Sequence, residues 1–179
     1  MSATTQLVSA CKIAEFRARS AREHAYSAYE LIKAADTPGM LAAHLPESPT
    51  GRQQALTHVE LIVLTATLIH SRVRSEYSWT AQAFGRSTFG RSTFGRSGRN
   101  PSVATLRKHH STLVSIRSYT SAVVLAIQQS RDQIDRYLLG YEIRANAHRH
   151  LCIAIVELKE VASSLACAVL SASFSTAIE

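Results

Sequence analysis

Apolar residues recur at every third or fourth position along four long stretches of the chain, a spacing that predicts helices rather than strands. The first seam runs through Leu7, Cys11, Ala14, Ala18, Ala21, Ala25, Ala28, Ile32 and Ala35, and predicts a helix over 4–36. It is lined mostly by alanine, so its axis can approach a neighbour closely. Pro38-Gly39 then ends it. The second helix is expected over 50–83, with Thr50-Gly51-Arg52-Gln53 as a capping box. Its seam is Leu56, Val59, Val63, Ala66, His70, Val73 and Tyr77, widened by Ile62 and Ile69.

The third helix, expected over 101–139, opens on Asn100 as a cap and Pro101 at the first helical position. Its seam passes through Val103, Leu106, His110, Leu113, Arg117, Thr120, Val124, Ile127, Arg131, Ile134 and Leu138. A buried guanidinium needs a partner: either acids such as Asp132 and Asp135 pair with Arg117 and Arg131, or Arg117 faces a subunit or ligand rather than the core. The fourth helix, over 141–178, uses Ala147, Leu151, Ala154, Leu158, Val161, Leu165, Ala168 and Ala172. Its phase is offset from the third, which places a break at Gly140, a residue suited to the left-handed position past a helix end.

Four long helices on short connections imply an all-α fold, an antiparallel up-down four-helix bundle forming a single domain over 1–179. In that topology the loop over 84–100 shares an end of the bundle with both chain termini. His70 and His110 then fall on seams of adjacent helices, where they are expected to meet in the core. The small residues of helices one and four serve either tight internal packing or a face for self-association.

Composition narrows the class. A hydrophobic fraction of 46% excludes a disordered chain. The three cysteines, Cys11, Cys152 and Cys167, are an odd number without a CxxC, which points to reduced thiols rather than a disulfide framework. The N-terminal residues show no basic stretch followed by an apolar run, so no secretory leader is expected. Residues 161–178 carry no charge but include five Ser and one Thr, a composition for a packed helix rather than a membrane span. A cytoplasmic location, or one within a virion, fits these features.

Charge changes the picture most. Residues 72–110 hold Arg72, Arg74, Arg86, Arg91, Arg96, Arg99, Arg107 and Lys108 against the single acid Glu76, which equals the whole formal charge of +7. The centre of this segment, 84–100, reads FGRSTFGRSTFGRSGRN. Each pentad supplies an Arg for phosphate, a Phe for stacking on an unpaired base, and a Gly that lets the backbone approach. Phe84, Phe89 and Phe94 join the eight cations as the expected nucleic-acid-binding residues. No RNP1 or KH signature accompanies them.

Eight histidines raise the question of chemistry, but no HExxH, CxxCH or paired ExxH pattern is present, so neither a metal nor a cofactor is expected. Arg144-Ala-Asn-Ala-His148-Arg-His150 places a His six residues after an Arg. This resembles the Rx4–6H pattern of HEPN-type helical-bundle ribonucleases, and the resemblance implies Arg144 and His150 acting together on a scissile phosphate. The polar residue that usually follows the Arg in that family is Ala145 here, and Arg52 to His58 shows the same spacing. The leading expectation is a non-enzymatic structural or interaction protein that binds RNA or single-stranded DNA through its basic end and self-associates, as a capsid or ribonucleoprotein subunit does. The alternatives are a HEPN-like ribonuclease and a helical adaptor for an acidic protein.

Overall fold

The computed structural model describes residues 2–34, 49–84, 101–137 and 141–177, with side chains placed over 2–34, 53–84, 101–131 and 145–173. Four helices make up the fold: α1 (Ala3–Ala34), α2 (Pro49–Phe84), α3 (Val103–Tyr137) and α4 (Tyr141–Ala177). With 32 to 37 residues each, they are about 48 to 56 Å long at 1.5 Å per residue. No strand occurs among the described residues.

The helix starts show why the expected caps needed correction. Ser2 Oγ accepts the Thr5 N–H at 3.2 Å, and Ser102 Oγ accepts the Thr105 N–H at the same distance. The cap of α3 is therefore Ser102, two residues beyond the expected Asn100. α2 begins at Pro49, so Thr50 lies within the first turn and does not cap it. Within the helices, hydroxyls bond the carbonyl four residues back, as in Thr120 to Ile116 at 2.8 Å. This lets a buried Thr satisfy itself inside a Ser/Thr-rich helix.

Cross-helix contacts define the topology. Arg17 reaches Glu157 and His24 reaches His150, so α1 and α4 run antiparallel. Cys11 lies against Thr80 and Glu15 against His70, which makes α1 and α2 antiparallel. His109 meets Glu76 and Thr80 across α2 and α3, while His110 meets Ser173 and Arg131 meets Cys152 across α3 and α4. The order around the bundle is α1, α2, α3, α4, with α1 and α4 sharing the largest interface and α2 and α3 the thinnest. This is the antiparallel four-helix bundle that the periodicity predicts.

The core follows the seams of α1, α2 and α4 closely. Six of the nine buried residues of α1 are alanine, and they face inward with Leu7, Cys11 and Ile32. On α4, Leu151, Leu158 and Leu165 are buried completely or nearly so. Each such leucine is worth about 1.5–3 kcal/mol of burial. The small residues of α1 and α4 are thus used in internal packing against each other. No described helix is long and apolar enough to cross a membrane.

Three expected core positions are corrected. On α3 the buried histidine is His109, not His110, and Ile116 takes the place expected for Arg117, which is exposed. His70 and His110 do not meet: His70 lies between Glu15 and Arg22 of α1, and His110 contacts Ser173 of α4. Arg131 is half-buried with its Nη1 3.7 Å from Cys152 Sγ, and the side chains of Asp132 and Asp135 lie outside those described. Glu15, whose spacing with Glu23 and Glu30 fits a solvent face, instead turns to His70 at 3.2 Å.

Candidate nucleic-acid interface

The predicted site residues divide into two groups. Arg86, Phe89, Arg91, Phe94, Arg96 and Arg99 lie outside the described residues. Arg72, Arg74 and Phe84 stand on the last turns of α2, and Arg107 and Lys108 on the second turn of α3. Antiparallel packing brings Phe84, Arg107 and Lys108 to one end of the bundle, with Arg74 and Arg72 about three turns further in. The four cations are exposed and Phe84 is half-buried. None of the four forms an ion pair among the described residues. Arg72 instead lies over the ring of Tyr119 on α3, with its guanidinium carbon 5.6 Å from the centroid.

The lone acid of this region does not neutralise them. Glu76 Oε2 accepts a hydrogen bond from His109 Nδ1 at 2.5 Å, and His109 is nearly inaccessible. A carboxylate can only accept, so His109 Nδ1 carries a proton. His109 Nε2 lies 3.2 Å from Thr80 Oγ1, whose single proton is shared between that nitrogen and the Glu76 carbonyl oxygen at 2.6 Å. Glu76 is therefore spent on an inward polar cluster joining α2 to α3.

A Glu–His–Thr series with a thiol beside it resembles the relay that activates a nucleophile. Thr80 Oγ1 lies 3.8 Å from Cys11 Sγ. However, Thr80 and Cys11 are buried, and burial pushes the Cys11 thiol up to about 11, against a smaller opposing effect of the Thr80 hydrogen bond. A thiol so raised is protonated at neutral pH and is a poor nucleophile. The cluster is structural: it satisfies three polar groups inside the core and fixes α2 against α3.

Trp79 is the residue that the periodicity missed. It is the chain's only Trp, it is half-buried, and its ring packs on that of His109 with centroids 4.2 Å apart. Phe84 stands nearly perpendicular to it, at 6.0 Å and 84°. Trp79 also lines an open concavity of about 440 Å³ with Ser71, Arg74, Ser75, Ser78 and Gln82. A second concavity, about 510 Å³ between α1 and α2, shares Arg74, Ser78 and Gln82 and adds Glu15 and Tyr77. The signal available in the sequence was a single Trp inside the one strongly basic stretch.

The candidate ribonuclease pair has a different setting. His150 Nδ1 lies 2.9 Å from His24 Nδ1, and the ring centroids are 5.2 Å apart. The difference is about twice the centre-to-nitrogen distance of an imidazole, so the two nitrogens point at each other with one proton between them. Burial, then the charges of His24 and Arg149, hold His150 below the ordinary imidazole range. The pair lies further along the bundle than Arg107 and Lys108 but close to the level of Arg72, since Arg22, two residues before His24, reaches His70, two residues before Arg72. The Arg144 side chain lies outside those described. Among the described residues, no group of three or more His, Cys, Asp or Glu gathers as a metal site.

Comparison with known proteins finds no family model, no curated protein and no solved structure that matches this chain.

Proposed function

We propose that this is a non-enzymatic structural or interaction protein that binds RNA or single-stranded DNA through the end of the bundle bearing Arg72, Arg74, Arg107 and Lys108, and that it self-associates in the manner of a nucleocapsid or ribonucleoprotein subunit. One observation carries the reading. Four exposed cations that form no ion pair among the described residues flank a segment containing four more arginines, and the only acid between Arg72 and Lys108 in the sequence is turned inward to His109. Such a field favours a polyanion, and the arginine fork fits phosphate oxygens. Self-association has a separate surface available in Leu61, Leu64 and Leu68 of α2 and Leu125 of α3, all exposed.

The test is titration of a fluorescein-labelled oligo(dT) or oligo(U) at several salt concentrations, with light scattering alongside. Each cation that neutralises a phosphate on a single strand contributes about −0.7 to the slope of log K against log salt. Replacing Arg72, Arg74, Arg107 and Lys108 together with Ala should therefore reduce the slope by about 3. An oligonucleotide that does not bind at low salt, or a slope that survives the fourfold replacement, would overturn the proposal. Retained binding to an acidic protein under those conditions would identify the adaptor instead.

A further inference from the structure

We infer that Trp79 is a stacking platform for an unpaired nucleobase, with Arg74 and the hydroxyls of Ser71, Ser75 and Ser78 holding the adjoining phosphates; this rests on the nucleic-acid reading and specifies its single-stranded character. The ring is held in place before any ligand arrives. His109 covers part of it at 4.2 Å, Phe84 stands across it, and His109 is itself fixed by Glu76 and Thr80. A side chain locked in this way loses little freedom on binding. The part of Trp79 that is not packed lines the concavity of about 440 Å³, which lies within the usual range of about 300–1,000 Å³ for small-ligand sites.

The lining of that concavity matches the chemistry of a nucleotide. An aromatic surface accepts the π-face of any base, so it binds without needing a particular sequence. Arg74 has no ion pair among the described residues to surrender, and its planar fork can take two phosphate oxygens. Ser71, Ser75, Ser78 and Gln82 follow one face of α2 at intervals of three and four, giving a row of hydrogen-bonding groups about 5.4 Å apart along the helix. Among the described residues no acid lines this concavity, whereas Glu15 lines the neighbouring one between α1 and α2. A duplex keeps its bases stacked on one another, so it can meet the cations but not the indole.

Because Trp79 is the chain's only Trp, its emission reports on this site alone. Fluorescein-free oligo(dT) should quench it on titration, and a duplex of the same length should bind without quenching. Trp79→Leu should weaken oligo(dT) binding about 5- to 150-fold, the range of one base–aromatic stack. The salt slope should stay unchanged, since no phosphate contact is lost. Trp79→Phe keeps a ring against His109 and should lose much less, so it decides the matter if the Leu variant fails to fold by circular dichroism. Oligonucleotide binding with unaltered Trp79 emission and unaltered affinity of both variants would overturn this inference while leaving the nucleic-acid reading in place. Absence of binding by the unsubstituted protein would overturn both.

Discussion

Exchanging Ala18 and Leu158 tests how the largest interface of the bundle is packed. Arg17–Glu157 and His24–His150 fix the antiparallel register of α1 and α4: seven residues along one helix answer seven along the other. That register sets Ala18 level with residue 156, about 3 Å along the axis from Leu158, and both Ala18 and Leu158 are fully buried. Leu158→Ala leaves a cavity and should cost about 2–5 kcal/mol. Ala18→Leu forces extra volume into the same space and should cost about 1–3 kcal/mol. Independent effects would sum to about 3–8 kcal/mol, a large part of the ~5–15 kcal/mol that holds such a domain together. The double replacement conserves volume, so it should be more stable than Leu158→Ala alone, with a coupling of about 1 kcal/mol or more. Urea unfolding followed by helical circular dichroism measures each midpoint at a common slope. A double variant whose loss equals the sum of the singles within about 0.5 kcal/mol would refute the shared space, and with it the register argument.

Two further outcomes follow from groups in the core. His150 is held below the ordinary imidazole pKa by burial and by His24 and Arg149, so the unfolded chain takes up its proton first as pH falls. The stability involved is present above about pH 6.5 and is lost as pH drops through the lowered value. Urea midpoints should therefore fall more steeply below that pH for the unsubstituted protein than for His150→Gln; parallel curves would show that the pair does not govern the response. Cys11, with its thiol pushed up to about 11 in the core, should escape a thiol reagent at neutral pH while exposed Cys167 reacts. Prompt labelling of Cys11 in the native protein, located by peptide mass, would contradict its burial.

The parts of the fold legible in the sequence are those where one helix's own pattern decides its orientation. The α1 and α4 seams repeat small and branched apolar residues at intervals of three and four, and their described members are all buried. On α3 the step from Leu106 permits either His109 or His110, and the step from Leu113 permits either Ile116 or Arg117. The sequence pattern is silent between them. The choice is made by α2, where Glu76 and Thr80 offer partners to His109, and no spacing within α3 carries that information. Trp79 was missed for a related reason. It sits beside the α2 seam, so periodicity assigns it to the surface, while its packing depends on a histidine thirty residues further along the chain. The cations were legible because charge density needs no tertiary structure to be seen; the inward turn of Glu76 was not.

The thin interface between α2 and α3 has two unlike halves, and the difference bears on function. Towards the basic end it is pinned by His109 with Glu76 and Thr80, by Trp79 on His109, and by Arg72 over Tyr119. Beyond Tyr119 the described contacts give way to an open apolar groove of about 340 Å³ between Leu61, Leu64 and Leu68 of α2 and Val123 and Ile127 of α3. A polar cluster is directional and holds one geometry, whereas an apolar groove tolerates sliding. The cations and Trp79 are thus mounted on the half pinned by these contacts, where, under the proposed function, a strand would bind without reorganising the helices beneath it. The exposed leucines belong to the other half, clear of Arg74 and Trp79. Under the proposed function, contacts between copies at this groove would leave Arg74 and Trp79 uncovered, while Arg72, over the groove-lining Tyr119, lies at its edge.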